Sequence, residues 1–384
     1  MHSTERKSGT LSGKGRINMS KYKVAVYAIC KNEEHFVDRW MDSMGEADVV
    51  LVCDTGSTDN TVEKLEAKGA VVYRIKVNPW RFDVPRNASL ALLPSDVDIC
   101  VCTDLDEIFE KGWREKLERA WQPDTNSLRY QFTYRFNPDG TRAVTYWKEK
   151  IHARINYRWV NPIHEVISYY GDTPEKIVYA HEIYLDHFPV YKSSRGQYLP
   201  LLEQSAKENP DNDRNVHYLG REYMYYGMWD KCIETLNKHL EMPSATWKDE
   251  RCASLRFISR SYKGKGQPDV AKQWLYKAIA EAPYLREPYV DMARLMYEAA
   301  DWPGLFHMVK DALNISNKPE TYLNEASSWD YTLYDFGAIS AYRLGLYKEA
   351  EEFAQIACDM EPHDERLKKN LLIISEKRQV LKGT

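Results

Sequence analysis

The fold of this chain is decided by the stretch Val97-Asp98-Ile99-Cys100-Val101-Cys102-Thr103-Asp104-Leu105-Asp106. It begins with an apolar run that is typical of a β-strand and ends with two aspartates. Near-continuous apolar runs are typical of strands that helices cover on both faces. Three similar runs precede it, and stretches with helical spacing separate them, which predicts βαβ units and a mostly parallel sheet. The predicted strands span residues 24–29, 49–53, 71–75 and 97–102, and the predicted helices span residues 33–44, 61–68 and 84–93.

The carboxylates of Asp104 and Asp106 form the strongest chemical signal in the chain. On an extended segment, two side chains with one residue between them point the same way, so both carboxylates can share one divalent cation. Such oxygen ligands suit Mg²⁺ or Mn²⁺, which would take up charge on a departing phosphate. A solvated acidic loop is the alternative, and the position directly after a buried strand favours the metal site.

A second polar turn, at residues 54–59, follows the second predicted strand and precedes a predicted helix. Ligands of open α/β sheets lie at the carboxyl ends of the strands, so we expect this turn to contact a nucleotide. Asp54 is predicted to accept a hydrogen bond from the imide N–H of a uracil, and Ser57 is predicted to make a further contact with the nucleotide. Residues of these types also cap helices, and the two roles are compatible.

Together these motifs resemble glycosyltransferase family 2. The resemblance rests on the first strand with Lys31-Asn32-Glu33-Glu34, the turn at residues 54–59, Arg86-Asn87, and Asp104-Leu105-Asp106, in this order. It covers roughly residues 22–190 and implies a GT-A fold, which is a Rossmann-like α/β domain with a mixed, mostly parallel sheet. It also implies a nucleoside-diphosphate sugar as donor and inversion at the anomeric carbon.

Carried over position by position, the resemblance places Arg86 near the donor diphosphate, Asp104 at the ribose or the metal, and Asp106 on the metal. For Lys31 and Asn32, the alternative is that they are only polar residues at the start of a helix. For Arg86, the alternative is that it is a surface residue. The remaining residues assigned to the donor site are Ile29, Lys31 and Asn32.

The expected general base lies in the segment Trp159-Val160-Asn161-Pro162-Ile163-His164-Glu165, which resembles the W-x-x-x-x-H-E segment of tetratricopeptide-bearing family members. An inverting transfer needs one base to take the acceptor proton. Glu165 is assigned this role, and His164 is expected to orient the base or the acceptor; a structural pair at a strand start is the alternative. Related GT-A enzymes often complete the metal shell with a late histidine, so His187 is the predicted third ligand, with a structural role as its alternative.

The second half of the chain is predicted to be all helical, in hairpins that resemble the tetratricopeptide repeat (TPR). Small residues that let paired helices approach recur at Cys232, Ala271 and Ala350, and a proline closes each unit. The spacing is irregular, and the segment around Trp302–Leu313 matches poorly. We expect a disordered leader over residues 1–20, a GT-A domain over 21–190 and a TPR-like domain over 191–384.

Composition limits where the protein acts and what it binds. The formal net charge of −4 argues against a dedicated nucleic-acid-binding protein, because such proteins need a basic surface. The cysteines are odd in number and lack a dense spacing pattern, as in a reduced chain whose thiols lie in the core. No apolar run reaches the length of about 20 residues that a membrane helix needs. We therefore expect a cytoplasmic protein without a transmembrane segment.

The function favoured by these observations is metal-dependent transfer from a UDP sugar or similar donor to a glycan, a peptide or a nucleobase. A nucleotidyltransferase is the main alternative, but residues 28–34 after the first strand contain no glycine for a phosphate-binding loop. A scaffold with an inactive first domain is the second alternative, which the intact acidic pair disfavours. The helical half is a candidate surface for binding a protein partner or for forming a homodimer.

Overall fold

The protein is described by a computed structural model that covers residues 21–137, 139–189, 196 and 198–382. Its N-terminal half contains an eight-stranded sheet and a separate two-stranded ribbon. The strands are β1 (Val24–Cys30), β2 (Val49–Asp54), β3 (Val71–Arg74), β4 (Ile99–Cys102), β5 (Glu107–Phe109), β6 (Ser127–Phe136), β7 (Arg142–Ala153), β8 (Tyr157–Val160), β9 (Val166–Tyr169) and β10 (Ile177–His187), of which β8 and β9 form the ribbon.

The strands of the large sheet follow the order β3-β2-β1-β4-β7-β6-β10-β5. The first four strands pair in parallel, as the alternating pattern predicted. β7 is antiparallel to both β4 and β6, and β10 is parallel to β6 and antiparallel to β5. The expected Rossmann-like sheet, mixed and mostly parallel, is therefore confirmed.

Four helices cover this sheet, and the first of them begins later than predicted. Residue 33 was the expected start of the first helix, but its regular part starts at Val37. The backbone N–H of Asn32 donates to Ser57 Oγ (2.8 Å) and that of Glu33 donates to Thr61 Oγ1 (2.8 Å), so this backbone is held by another loop. The helices are α1 (Val37–Met44), α2 (Thr61–Ala67), α3 (Asp83–Ala91) and α4 (Trp113–Ala120).

The strand order reverses between β1 and β4, and this reversal positions the candidate site. From β1 the chain proceeds to β2 and β3 on one side, and β4 then pairs with the opposite edge of β1. In open α/β sheets a ligand crevice forms at the carboxyl ends of the strands at such a switch point. The ends of β1 and β2 and the loops that follow β1, β2 and β4 carry seven of the eleven predicted site residues at this edge.

The core of the N-terminal half ties the sheet to its helices. Trp40 on α1 is fully buried, and its Nε1 donates to Thr103 Oγ1 (3.1 Å), directly before the acidic turn. Burying an aromatic side chain of this size contributes about 2–3 kcal/mol. All cysteines are free and buried, which confirms the predicted core role of the thiols.

The C-terminal half is helical in all the residues that the structure describes from Tyr198 onward, apart from the turns and loops between its helices. Its helices pack in consecutive pairs, α6 with α7, α8 with α9, α10 with α11 and α12 with α13. The helices are α5 (Tyr198–Glu208), α6 (Asp213–Tyr225), α7 (Trp229–Glu241), α8 (Lys248–Gly264), α9 (Pro268–Glu281), α10 (Glu287–Glu298), α11 (Trp302–Leu313), α12 (Thr332–Arg343), α13 (Tyr347–Met360) and α14 (Glu365–Lys382).

The predicted helical hairpins are confirmed, and the small residues have the expected place in them. Cys232, Ala271 and Ala350 are completely buried where helices meet. α10 and α11 form a pair of the same kind although the sequence of α11 matched the repeat poorly. The leader over residues 1–20 and the proposed domain boundary after residue 190 lie outside the described residues. Among the described helices, none combines the length and the apolar character needed to cross a bilayer.

We expect Gly220→Val to destabilise the protein by about 1–3 kcal/mol, because overpacking a close helix contact forces the neighbouring side chains to move. A Cβ at Gly220 would lie 2.3 Å from Cδ2 of Leu236 on α7. The measurement is the free energy of unfolding in urea. Ala280→Val, on an exposed position of α9, is the matched control and should cost about 0.5 kcal/mol. Equal stability of the two variants would contradict this account of the helix contact.

Candidate active site

A cavity of about 760 Å³ opens where the loops after β1, β2 and β4 face the start of α5. It gathers most of the residues that the sequence predicted for the site. These are Ile29, Lys31, Arg86, Asp104, Asp106, His164, Glu165 and His187. Three predicted residues, Asn32, Asp54 and Ser57, are not among those that line it. The lining also contains aromatic side chains that were not predicted, among them Trp80, Phe82 and Tyr198.

The two aspartates reach the cavity from a turn, and the predicted extended geometry is wrong. The N–H of Glu107 donates to the carbonyl oxygen of Asp104 (3.0 Å), which closes a turn over residues 104–107. Leu105 between the aspartates is buried in the core. Asp104 and Asp106 therefore line one cavity because the chain turns around the anchored Leu105, and not because side chains alternate along a strand.

The guanidinium of Arg86 joins the acidic turn to the candidate base. Its Nη2 donates to Asp104 Oδ1 (2.5 Å), and its Nε donates to Glu165 Oε1 (2.5 Å). The group is almost fully buried and lies 5.1 Å from the ring centre of Trp159. Charge-assisted hydrogen bonds of this kind are short and strong, so Arg86 fixes both carboxylates relative to each other.

Two lysines on β7 complete the charge network beneath the acidic turn. Lys150 Nζ lies 2.9 Å from Asp104 Oδ2, and Lys148 Nζ lies 2.9 Å from Glu107 Oε1. Oε2 of Glu107, a buried residue, accepts the backbone N–H of Asp104 (2.9 Å). Both carboxylate oxygens of Asp104 are thus paired with cations, one from α3 and one from β7.

The charges around Asp104 determine its protonation. Burial by itself would raise the pKa of this carboxyl, but the positive charges of Arg86, Lys150 and Lys148 outweigh burial and hold the pKa well below its ordinary value. Asp104 is therefore ionised at neutral pH.

Asp106 has different surroundings from Asp104. Its Oδ2 lies 3.2 Å from Nε2 of His187, and among the described residues it forms no ion pair with a lysine or an arginine. The His187 ring is stacked against Tyr134, with 5.7 Å between the ring centres. Nδ1 of His187 is buried without a hydrogen-bond partner in the described part of the chain. A carboxylate and an imidazole facing each other in this way form a pair that can hold a divalent cation.

The turn at residues 54–59 interlocks with the loop after β1. Asp54 is buried, and its carboxylate accepts the backbone N–H groups of Gly56 (3.1 Å) and Ser57 (3.1 Å). Asn32, at a positive φ of 55°, accepts the N–H of Thr58 through its Oδ1 (2.7 Å). These contacts shape two loops at the edge of the cavity, and the predicted donor contacts of Asp54, Asn32 and Ser57 stay predictions.

The segment with His164 and Glu165 is held by the helical half. His164 has a φ of 50°, and its ring stacks on Tyr218 of α6 with 4.2 Å between the ring centres. Nη1 of Arg214 donates to the carbonyl oxygen of His164 (3.0 Å), and Ile163 packs into the core of the helical half. α6 therefore fixes the backbone next to the candidate base Glu165.

The sheet, its switch point and the residues gathered there agree with a comparison of the sequence with known families. Residues 25–171 match the family described as glycosyl transferase family 2. This part of the chain is a family 2 glycosyltransferase domain. The candidate active site belongs to this glycosyltransferase domain, and the helical half supplies part of its wall.

Similar proteins outside the glycosyltransferase family share less with the chain. A cytidylate kinase of Lactococcus lactis subsp. lactis is 24% identical over 143 residues, which are 35% of this chain and 65% of that protein, so the chain spans less than two thirds of this relative. MamA is 16% identical, with 43% of this chain and 86% of that chain covered and a TM-score of 0.35. A TPR protein of Thermus thermophilus is 17% identical, with 46% and 88% covered and a TM-score of 0.33.

Lys148, Lys150 and Tyr218 were not among the residues predicted for the site, although the two lysines carried a signal in the sequence. Lys148 and Lys150 stand two residues apart on a strand, which places them on one face of the sheet of the glycosyltransferase domain. Two lysines on such a face predict buried acidic partners, because an unpaired buried charge is costly. Tyr218 carried no such signal, since its contact with His164 joins segments that are far apart in sequence.

The charge network predicts how acid affects the glycosyltransferase domain. The pKa of Asp104 is lower in the folded than in the unfolded protein, where it is about 3.9. Its stabilising contribution is therefore complete above the unfolded value and is lost as the pH falls through the folded value. We expect Asp104→Asn to be less stable than the wild type at pH 6, and the difference to shrink below pH about 3.

The measurement for this prediction is urea unfolding of both proteins between pH 2 and pH 7, followed by circular dichroism. Asp211→Asn, at an exposed position, is the matched control and should follow the wild type at every pH. A difference between Asp104→Asn and the wild type that grew on acidification would contradict the assigned charge pairing.

Proposed function

We propose that this chain is an inverting, metal-dependent glycosyltransferase that uses a nucleoside-diphosphate sugar, with UDP sugars as the first candidates. One observation carries the proposal. A single cavity of the family 2 domain gathers the pair Asp106 and His187, the Arg86 guanidinium and the carboxylate of Glu165. The free, buried thiols support a reducing compartment, so the cytoplasm is the proposed location.

The proposed metal is Mn²⁺ or Mg²⁺, held by Asp106 and His187. The donor set fits, because a carboxylate oxygen and an imidazole nitrogen lie 3.2 Å apart at the cavity and no lysine or arginine of the described chain neutralises the carboxylate. A bound ion would take up negative charge on the departing diphosphate. Both carboxylate oxygens of Asp104 already contact cations, which makes Asp104 a weaker candidate ligand than Asp106, so contact with the donor ribose is its preferred role.

Two positively charged side chains at the cavity, those of Arg86 and Lys31, have different proposed roles in the donor site. Arg86 is committed to Asp104 and Glu165 and therefore orients these carboxylates beside the donor. Lys31 is exposed at the cavity and has no ion pair within the described ranges, so its ammonium is free to meet the donor diphosphate. Ile29 supplies an apolar surface next to it at the end of β1.

Glu165 is the proposed general base. Its carboxylate lines the cavity, only 11% of its side chain is exposed, and its Oε1 accepts a hydrogen bond from Nε of Arg86 (2.5 Å). In the proposed reaction an acceptor oxygen or nitrogen forms a bond to the anomeric carbon while its proton passes to Glu165. The bond from the anomeric carbon to the diphosphate breaks, and its electron pair leaves with the diphosphate. His164, held against Tyr218, orients the acceptor or the base.

The contacts that the helical half makes at the cavity support a role for it in holding the acceptor. Tyr198 of α5 lines the same cavity as Glu165, and Tyr218 of α6 lies against His164. With a catalytic domain over residues 21–190 and a helical domain over 191–384, the acceptor would enter between the two. A glycan, a peptide or a nucleobase remains the proposed acceptor class, and the outer helical surface is the proposed site for a protein partner or a second copy.

We expect Asp106→Asn to lower donor turnover by about 100-fold or more, because the proposed metal loses its carboxylate ligand. Purified protein is incubated with UDP, GDP and CDP sugars and Mn²⁺, and the released nucleotide is measured by chromatography and mass spectrometry. Asp96→Asn, at an exposed ion pair with Lys23, is the matched control and should retain wild-type turnover. Full turnover by Asp106→Asn in the presence of EDTA would refute the proposed metal dependence. No turnover of any donor by the wild type would refute the proposed glycosyltransferase activity.

Glu165→Gln tests the base separately from the donor site. We expect a loss of about 100-fold or more in transfer to the acceptor, since the amide cannot take the proton, while the thermal shift caused by the nucleotide with Mn²⁺ stays unchanged. Glu149→Gln, on β7 and paired with Arg129, is the control that keeps transfer. Unchanged transfer by Glu165→Gln would remove this residue from the proposed reaction.

A further inference from the structure

A second cluster of metal-ligating side chains lies in the helical half, away from the cavity described above. It consists of His217 on α6, His239 on α7 and Glu250 on α8. One ligand atom from each of the three residues lies within 4.8 Å of the other two. Both histidines are completely buried and Glu250 is 4% exposed.

The imidazoles of this cluster share one hydroxyl group. Ser254 Oγ lies 2.7 Å from Nδ1 of His217 and 3.0 Å from Nδ1 of His239. When the hydroxyl oxygen accepts both Nδ1–H groups, the Nε2 lone pairs of the two rings are available as ligands. Metal-binding histidines are commonly held by such a hydrogen bond on the other ring nitrogen. Nε2 of His217 is buried without a hydrogen-bond partner in the described chain.

The carboxylate of Glu250 supplies the third ligand. Its Oε2 accepts the hydroxyl of Tyr322 (2.8 Å), and its Oε1 lies 3.3 Å from Nε2 of His239. Ligands placed about 2.0–2.1 Å from a tetrahedral Zn²⁺ ion are separated by about 3.4 Å, which agrees with this distance. Among the described residues no lysine or arginine lies within ion-pair distance of Glu250, and the guanidinium of Arg214 acts on it from beyond that distance.

A relay of protons is the competing explanation for this cluster. In the relay His217 donates to Ser254, Ser254 donates to His239, and Nε2–H of His239 faces Glu250. That arrangement leaves Nε2 of His217 buried and unsatisfied, which is energetically unfavourable. A cation contacts all three ligand atoms at once and places a positive charge directly on the buried carboxylate.

We infer that His217, His239 and Glu250 form a structural site for a divalent transition metal of the Zn²⁺ type, with a water molecule as the fourth ligand. The site joins α6, α7 and α8. His217 directly precedes Tyr218, which stacks on His164 at the candidate active site. The metal therefore fixes the part of α6 that holds the catalytic segment, and it is separate from the ion proposed at Asp106.

The test uses the full chain with the Asp106→Asn substitution, so that the proposed catalytic ion does not contribute. After removal of metals by a chelator, Zn²⁺ is added and excess is washed away. We expect about one Zn²⁺ per chain by mass spectrometry of the metal, and a rise of about 5–10 °C in Tm at a free Zn²⁺ concentration about 100 times Kd. Adding Glu250→Gln should remove both effects, whereas adding Glu241→Gln, at an exposed position of α7, should remove neither.

Co²⁺ provides a measurement that does not depend on the folding of the Glu250 variant. Titration of the chelated Asp106→Asn protein should produce the intense visible absorption of four-coordinate Co²⁺ with nitrogen and oxygen ligands. Absence of that absorption together with an unchanged Tm in Zn²⁺ would overturn the inference. Stoichiometric Zn²⁺ retained by a folded protein that carries Glu250→Gln would overturn it as well.

Discussion

The buried guanidinium of Arg86 is the group on which the candidate active site depends. A cation removed from water is stable only beside opposite charges, and Arg86 finds them in Asp104 and Glu165, each at 2.5 Å. These carboxylates come from the turn after β4 and from the loop between β8 and β9. Without the guanidinium, Glu165 would lose its ion-pair partner and Asp104 would keep only Lys150. One side chain of α3 thus holds together the two loops that carry the acidic pair and the candidate base.

The same network divides the roles of the two aspartates. Asp104 is neutralised by Arg86 on one oxygen and by Lys150 on the other, so its carboxylate is committed before any ligand binds. Asp106 lies only two positions further along, yet it faces His187 and has no such cation among the described residues. The distinction follows from which strands lie beneath the turn, since β7 brings the lysines to Asp104 and the end of β10 brings the histidine to Asp106.

The helical half is part of the site and does more than cover it. The positive φ of His164 is costly for a residue with a Cβ atom, and it is maintained by the stacked ring of Tyr218 and by the hydrogen bond from Arg214. Asn161, also at a positive φ, is bound through its side chain by Asn215 of the same helix. α6 therefore stabilises a strained segment next to the candidate base, and the buried cluster around His217 lies directly behind this contact.

The sequence by itself determined the first four strands of the sheet, the helical hairpins and the motifs of the family 2 domain, because apolar periodicity and the order of polar turns are local properties of a chain. It also named half of the residues that line the cavity. Only the tertiary structure decided that the aspartates stand on a turn, that Asp54 and Asn32 interlock two loops, and that Lys150 and Tyr218 belong to the site. Burial and charge pairing between distant segments decide such features, and no local pattern encodes which segments will meet.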